Sequence, residues 1–244
     1  MRKLQRENSI NKRTKVSAIL ILLLIPLTIL FGIFVLNDRK YYFISLLIIL
    51  YTIIPFAMIF ERQEPQAREL VIIAVLTAIA VAGRGAFFML QQFKPVVAIV
   101  IITGVSLGPE SGFLVGVMSG FVSNFFFGQG PWTPWQMFGF GIIGFLAGIL
   151  YNKGILKKTK VSLCIFGGLS TFFIYGAIAD LGSLLIFTSH FSWKALLATY
   201  ASGLWFNVVH ALATVFFLYI LSQPMLEKLD RIKIKYALID TTTK

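Results

Sequence analysis

The stretch Asn124-Phe-Phe-Phe-Gly-Gln-Gly-Pro-Trp-Thr-Pro-Trp-Gln136 carries no charge and yet cannot be continuous helix. Gly128, Gly130, Pro131 and Pro134 break helical hydrogen bonding and free backbone groups that lipid cannot satisfy. Two apolar runs flank the stretch, so it reads as a loop at a membrane surface. Phe125, Phe126, Phe127, Trp132 and Trp135 interleave with the amides of Asn124, Gln129 and Gln136. That mixture suits a pocket for a flat, weakly charged small molecule. It suits an interfacial aromatic belt equally well, and on these residues alone both readings stand.

Composition makes the bilayer the solvent for the whole chain. Of 244 residues, 57% are hydrophobic and 13% charged, and the mean hydropathy is +0.84, far too apolar for a soluble domain. The formal charge of +12 could suggest nucleic acid, but its placement argues for basic loops of a membrane protein. Cys164 is the single cysteine and lies inside an apolar run, so neither an intrachain disulfide nor a CxxC metal motif is available. The first apolar run is longer than a signal-peptide core, and the basic segment before it reads as a cytoplasmic flank.

The fold class expected is all-α, a polytopic membrane protein of eight helices arranged as two plus six. Residues 1–15 form a basic N-terminus, 16–36 and 41–60 two spans, and 61–69 a polar linker. The six-helix membrane domain covers 70–222, with spans near 70–90, 95–107, 111–127, 136–151, 161–187 and 197–222, and a basic tail follows at 223–244. Assigning alternate loops to alternate sides puts 17 of the 22 Lys and Arg on one side, which is then cytoplasmic together with both termini. The 128–135 loop consequently faces outside. The 95–107 span is short, roughly 20 Å, and ends at Gly108-Pro109-Glu110, so it belongs inside the bundle where protein covers it. Gly112, Gly116 and Gly120 form a stripe for close helix packing, and Ala74, Ala78 and Ala82 form a second small-residue stripe.

Polar residues within spans are costly, so their depths are informative. Arg84, Asn124, Gln136, Asp180, Asn207 and His210 all fall in the outer half of the six-helix block. A cavity open outside and closed inside accounts for this, whereas a channel or proton relay needs polar groups through the full thickness. Each of these residues has a structural alternative: Asp180 could pair with Arg84, and Asn207 and His210 could join helices by hydrogen bonds. Enzyme chemistry lacks most of its parts: composition leaves a Ser and His pair open, but without a strand-turn-helix elbow. His190 and His210 are the only histidines, there is no HExxH motif, and Asp180 and Glu110 lie toward opposite faces. No P-loop is present, so energy for uptake would come from a partner. No cofactor or metal site is expected.

The six-helix block, roughly 68–222, resembles the S components of energy-coupling factor (ECF) transporters. The similarity rests on Ala74-Val-Leu-Thr-Ala78-Ile-Ala-Val-Ala82-Gly83-Arg84, on Phe93-Lys94-Pro95 before a short helix, on Gly108-Pro109-Glu110-Ser-Gly112-Phe-Leu-Val-Gly116, and most specifically on the 123–136 loop. The resemblance implies a subunit of the plasma membrane that captures a vitamin outside and associates with a transmembrane T subunit and two cytoplasmic ATPases. It makes Ala74, Ala78 and Ala82 docking residues. It also places pocket lid and lining near 85–94, 128–135 and 188–196, which brings in Phe88, Lys94, Phe127, Gln129, Trp132, Trp135 and Trp193 beside the polar set. The two N-terminal helices depart from the family pattern. The many aromatics and amides suit a large neutral organic vitamin, of which cobalamin or a related molecule is the best match. The competing classes are a self-sufficient secondary transporter for a small neutral molecule and an intramembrane enzyme.

Overall fold

The computed structural model describes residues 17–36, 43–44, 46–51, 67–188 and 192–236. The described residues are helical throughout, apart from short connections, with no strand. A π-helical turn, Leu20–Leu24, leads into α1 (Ile25–Leu36). Residues 46–51 are helical where the second N-terminal span was expected, and 52–66 lie outside the described residues, as does the whole basic N-terminus of 1–15. The six-helix block follows as α2 (Ala67–Ala86), α3 (Val96–Leu107), α4 (Pro109–Phe127) and α5 (Thr133–Asn152). It continues as α6 (Lys160–Leu169), joined through a π-helical segment Ser170–Tyr175 to α7 (Gly176–Phe187), and ends with α8 (Trp193–Tyr236). Five stretches among the described residues are long and apolar enough to cross a membrane, including the α6–α7 rod and α8.

Helix α3 is the core of the bundle. All twelve of its residues are buried, which is how a helix about 18 Å long escapes the requirement to span by itself. It stops at Gly108, whose φ of 100° is open to glycine, and Pro109 starts α4 at a position where a missing N–H costs nothing. The glycine stripe lies where α3, α4 and α5 meet. A Cβ built on Gly116 would stand 2.6 Å from the Gly141 nitrogen, and one on Gly112 would stand 2.9 Å from the Gly144 carbonyl carbon. The backbones there are in direct contact. Helix α2 is arranged differently: Ala74, Ala78 and Ala82 are exposed, in a face continued by exposed Val71, Val75 and Ile79. The second small-residue stripe therefore points away from the bundle.

Three boundaries differ from expectation for local reasons. Helix α2 ends at Ala86, and residues 87–95 form a compact turn in which Gln92 takes a φ of 58°. The Lys94 ammonium holds this turn by donating to the carbonyls of Phe87, Phe88 and Leu90. Helix α5 begins three residues early because Pro134 fits its first turn. Helix α8 runs through Pro224 to Tyr236, where the basic tail was expected to begin at 223. Its extension is tied down: Gln223 donates to the Lys158 carbonyl at 2.7 Å, Lys158 pairs with Asp230 at 2.8 Å, and Lys233 donates to the Ser106 carbonyl. These bonds hold the helix through a residue that lacks one of its own.

Candidate functional site

The end of the bundle that carries the 87–95 turn and the 128–132 loop contains a partly open cavity of about 200 Å³. Most side chains reach it from a helix end or a turn, and His210 from within a long helix. Arg84 and Phe88 come from the end of α2 and the turn after it, and Phe127 from the last position of α4. Gln136 and Phe140 come from the first two turns of α5, Tyr175 from the π-helical segment, and His210 from α8. Gln91, Gln92, Lys94 and Val96 close the cavity from the α2–α3 side. A π-helical turn shifts the side chains that follow it around the helix axis, a distortion common at functional sites. Here Tyr175 is the last residue of such a turn.

Arg84 is the polar centre. Its Nη1 donates to Ser123 Oγ at 2.5 Å and to Asn124 Oδ1 at 2.7 Å, and its Cζ lies 5.1 Å from the centre of the Phe127 ring. Asn124 passes the network on, donating to Gln136 Oε1 at 2.8 Å and Thr133 Oγ1 at 3.0 Å. Thr133 in turn donates to Gln129 Oε1 at 2.9 Å, and Gln129 Nε2 donates to the Phe121 carbonyl at 3.0 Å. Asn124 and Thr133 are fully buried. One network thus locks the 128–132 loop onto α4 and fixes where Arg84 and Gln136 point. Lys94, outside the membrane-spanning helices, has an ammonium pKa below its ordinary value, first because burial disfavours its charge and second because Arg84 is close.

Aromatic rings form two walls. Phe88 and Phe127 are stacked at 5.3 Å between centres. Opposite in sequence, Phe140 and Tyr175 stack at 4.8 Å, and His210 meets Tyr175 edge-on at 4.8 Å. His210 is buried, 3% exposed. The arrangement offers aromatic faces, amide groups and cationic donors within one cavity, the chemistry needed to hold a planar organic molecule.

Of the residues singled out from the sequence, Arg84, Phe88, Lys94, Phe127, Gln136 and His210 line the cavity, and Asn124 and Gln129 support it. The structure does not bring the others there. Trp135 is 8% exposed and packs its ring against Gly182 in the core. Trp132 folds over Gly130 at the loop surface, and Trp193 is 73% exposed at the start of α8. Asp180 does not pair with Arg84: Asn207 Nδ2 donates to its Oδ2 at 2.8 Å, and both stand against glycines, Asp180 against Gly203 and Asn207 against Gly176. This pair joins α7 to α8 beside the cavity rather than within it. Gln91 and Gln92 fall within the 85–94 stretch expected to line the pocket, whereas Phe140 and Tyr175 were not anticipated. For Tyr175, the one signal was a hydroxyl-bearing ring inside an otherwise apolar run. Among the described residues no group of three or more His, Cys, Asp or Glu could hold a metal ion.

The family model for the ECF transporter substrate-specific component matches residues 68–229. The chain belongs to that family. The matched span begins at α2 and ends within α8, so the ECF family unit is the six-helix block, and α1 precedes it. The chain is similar to the UPF0397 protein of Aliivibrio salmonicida, with 32% identity over 124 residues, 49% of this chain and 65% of the relative. It is similar to that of Aliivibrio fischeri strain MJ11, with 30% identity over 123 residues, 48% and 64% of the two chains, and to that of Vibrio atlanticus, with 29% identity over 124 residues. The chain thus spans just under two thirds of the length of the first two of these relatives. No solved structure matches it.

Proposed function

We propose that this chain is the substrate-capture subunit of an ECF-type uptake transporter. It takes a small planar organic molecule into the cavity between α2, α4, α5, the π-helical segment and α8, and relies on a T subunit and two ATPases for transport. The observation that carries this reading is the asymmetry of the bundle. Aromatic, amide and cationic groups meet in a cavity at one end, while below them α3, α4 and α5 are sealed backbone to backbone at Gly104, Gly112, Gly116 and Gly144. A carrier working alone needs a route through that seam. The sealed end also carries Lys153, Lys157, Lys158, Lys160, Lys228, Arg231, Lys233 and Lys235, which supports a cytoplasmic placement for it and an outward-facing cavity.

A cavity of about 200 Å³ lies below the roughly 300–1,000 Å³ of sites for drug-sized ligands. It supports a one- or two-ring heterocycle in preference to a corrinoid such as cobalamin. Reconstituted alone in liposomes, the chain is expected to bind its ligand without concentrating it. Accumulation dependent on ATP is expected only after the T subunit and ATPases are added. Concentrative uptake by the isolated chain on a proton or sodium gradient would replace this reading with that of a secondary transporter.

The cavity also redistributes the expected ligand contacts. Phe127→Ala, which removes one ring of a stacked wall, is expected to weaken binding several-fold, since aromatic contacts contribute about 0.5–1.5 kcal/mol beyond burial. Trp132→Ala should leave affinity within twofold of wild type. Calorimetric titration of the purified variants distinguishes the cavity from the loop surface, because a reversed ranking would move the ligand to the loop.

A further inference from the structure

Arg84 is a membrane-embedded cation to which no carboxylate is paired among the described residues. A guanidinium has five N–H donors, and the two on Nη1 go to Ser123 and Asn124, both neutral. Nε and Nη2 have no protein partner among the described residues. The ion pairs found there, Lys158 with Asp230 and Arg231 with Glu227, lie at the opposite end of the bundle. Lys94 brings a second positive charge to the same cavity and is satisfied by backbone carbonyls alone. The remaining lining side chains are amides, rings and Val96, with no carboxylate among them. Asp180 lies outside the lining and is engaged by Asn207. A charge held within a bundle is ordinarily balanced by an opposite one, because its desolvation is otherwise uncompensated.

We propose that the missing anion belongs to the ligand: the cavity takes a planar aromatic molecule bearing a carboxylate or phosphate, received by Nε and Nη2 of Arg84 with Lys94 as the second cation. This inference rests on the cavity being the substrate site, and it replaces the neutral vitamin suggested by composition. The Asn124 and Ser123 bonds orient the guanidinium so that its free edge is available for two parallel hydrogen bonds to one oxyanion, the geometry in which Arg surpasses Lys. The ring system then lies against Phe127 or Tyr175, and Gln136 and Gln91 serve its edge.

The test uses the full chain purified in detergent, in wild-type, Arg84→Gln, Lys94→Gln and Phe127→Ala forms. Inorganic phosphate, compared with chloride at equal ionic strength, is expected to raise the melting temperature of the wild type and of Phe127→Ala. It should have no such effect on Arg84→Gln and a reduced effect on Lys94→Gln. Small molecules released on denaturing the purified wild type should include an aromatic acid, depleted about ten- to a hundredfold in Arg84→Gln, as expected for a charge-assisted bond. Equal phosphate stabilisation of all four forms overturns the anion site. A bound aromatic with no acidic group, lost in Phe127→Ala but retained in Arg84→Gln, overturns the proposal and leaves the cavity reading intact. An aromatic acid retained by all the variants overturns both. Lys94→Gln guards against misfolding of the Arg84 variant, since its side chain bonds only to the surface turn.

Discussion

Replacing Ala78 by Trp is expected to abolish association with a T subunit while leaving ligand affinity close to wild type. The alanine stripe offers a partner nothing polar, and lipid is as apolar as the surrounding Val71, Val75 and Ile79, so exposure of these residues is not by itself a docking signal. What the face does offer is flatness. Ala74, Ala78 and Ala82 are exposed on successive turns of α2, a small-xxx-small surface on which another helix can approach with its backbone almost in contact. An indole in the middle of it holds the partner helix away along the whole crossing and removes the dispersion contacts on which helix association in lipid depends. The expected loss is at least about a hundredfold in association, or ~2.7 kcal/mol. Because Ala78 faces outward, the substitution has no route to the cavity except through general misfolding. Copurification of the T subunit and calorimetric ligand binding, measured on the same preparation, separate the two. Loss of ligand binding with retained docking would reverse the assignment of the face.

The residues that break or shorten helices were legible in the sequence because their effects are local. Gly108-Pro109 ends α3 wherever it is placed, and Pro131 and Pro134 with two glycines interrupt any helix through 128–134. Position along the bundle axis was legible as well, since it follows from counting along an apolar run. Position around the helix axis was not. A helix within a bilayer can be apolar on every side, so its pattern carries little record of which side faces the core. Depth alone therefore grouped Asp180 and Asn207 with Arg84, Gln136 and His210, although the first two bond to each other beside the cavity. The same limit hid Phe140 and Tyr175, whose flanking residues are as apolar as those facing lipid, and left Trp135 indistinguishable from Trp132. For Tyr175 a second obstacle was the π-helical turn at Ser170–Tyr175, which changes the angular register in a way that no 3.6-residue count anticipates. The boundary expected at 222 fell short in the other direction: the helix runs on through Pro224, held by Lys158, Asp230 and Lys233, whose partners are distant in sequence.

A large effect on folding is expected at Gly116. A side chain there would begin 2.6 Å from both the Gly141 nitrogen and the Phe140 carbonyl carbon, and 2.7 Å from the Gly141 Cα. These are backbone atoms in the interior of a helix, so no rotamer change can admit the new carbon. The two helices must part. Parting them also opens the contacts of Gly112 with Gly144 and of Gly148 with Pro109 on the same seam, which sits directly beneath the cavity floor. Overpacking that side chains can absorb costs about 1–3 kcal/mol, and Gly116→Val should reach or exceed the upper end because the obstruction is main chain. Gly85→Ala is the matching control. Its Cβ would meet only the Phe127 ring edge at 3.8 Å, an ordinary contact, and replacing a helical glycine by alanine favours the helix by up to about 1 kcal/mol. In detergent, Gly116→Val is expected to lose its cooperative melting transition or to shift it down by many degrees, while Gly85→Ala melts at or above the wild-type temperature. A Gly116→Val melt within a few degrees of wild type would mean that α4 and α5 tolerate separation, and the seal beneath the cavity would no longer account for a chain that binds but does not transport by itself.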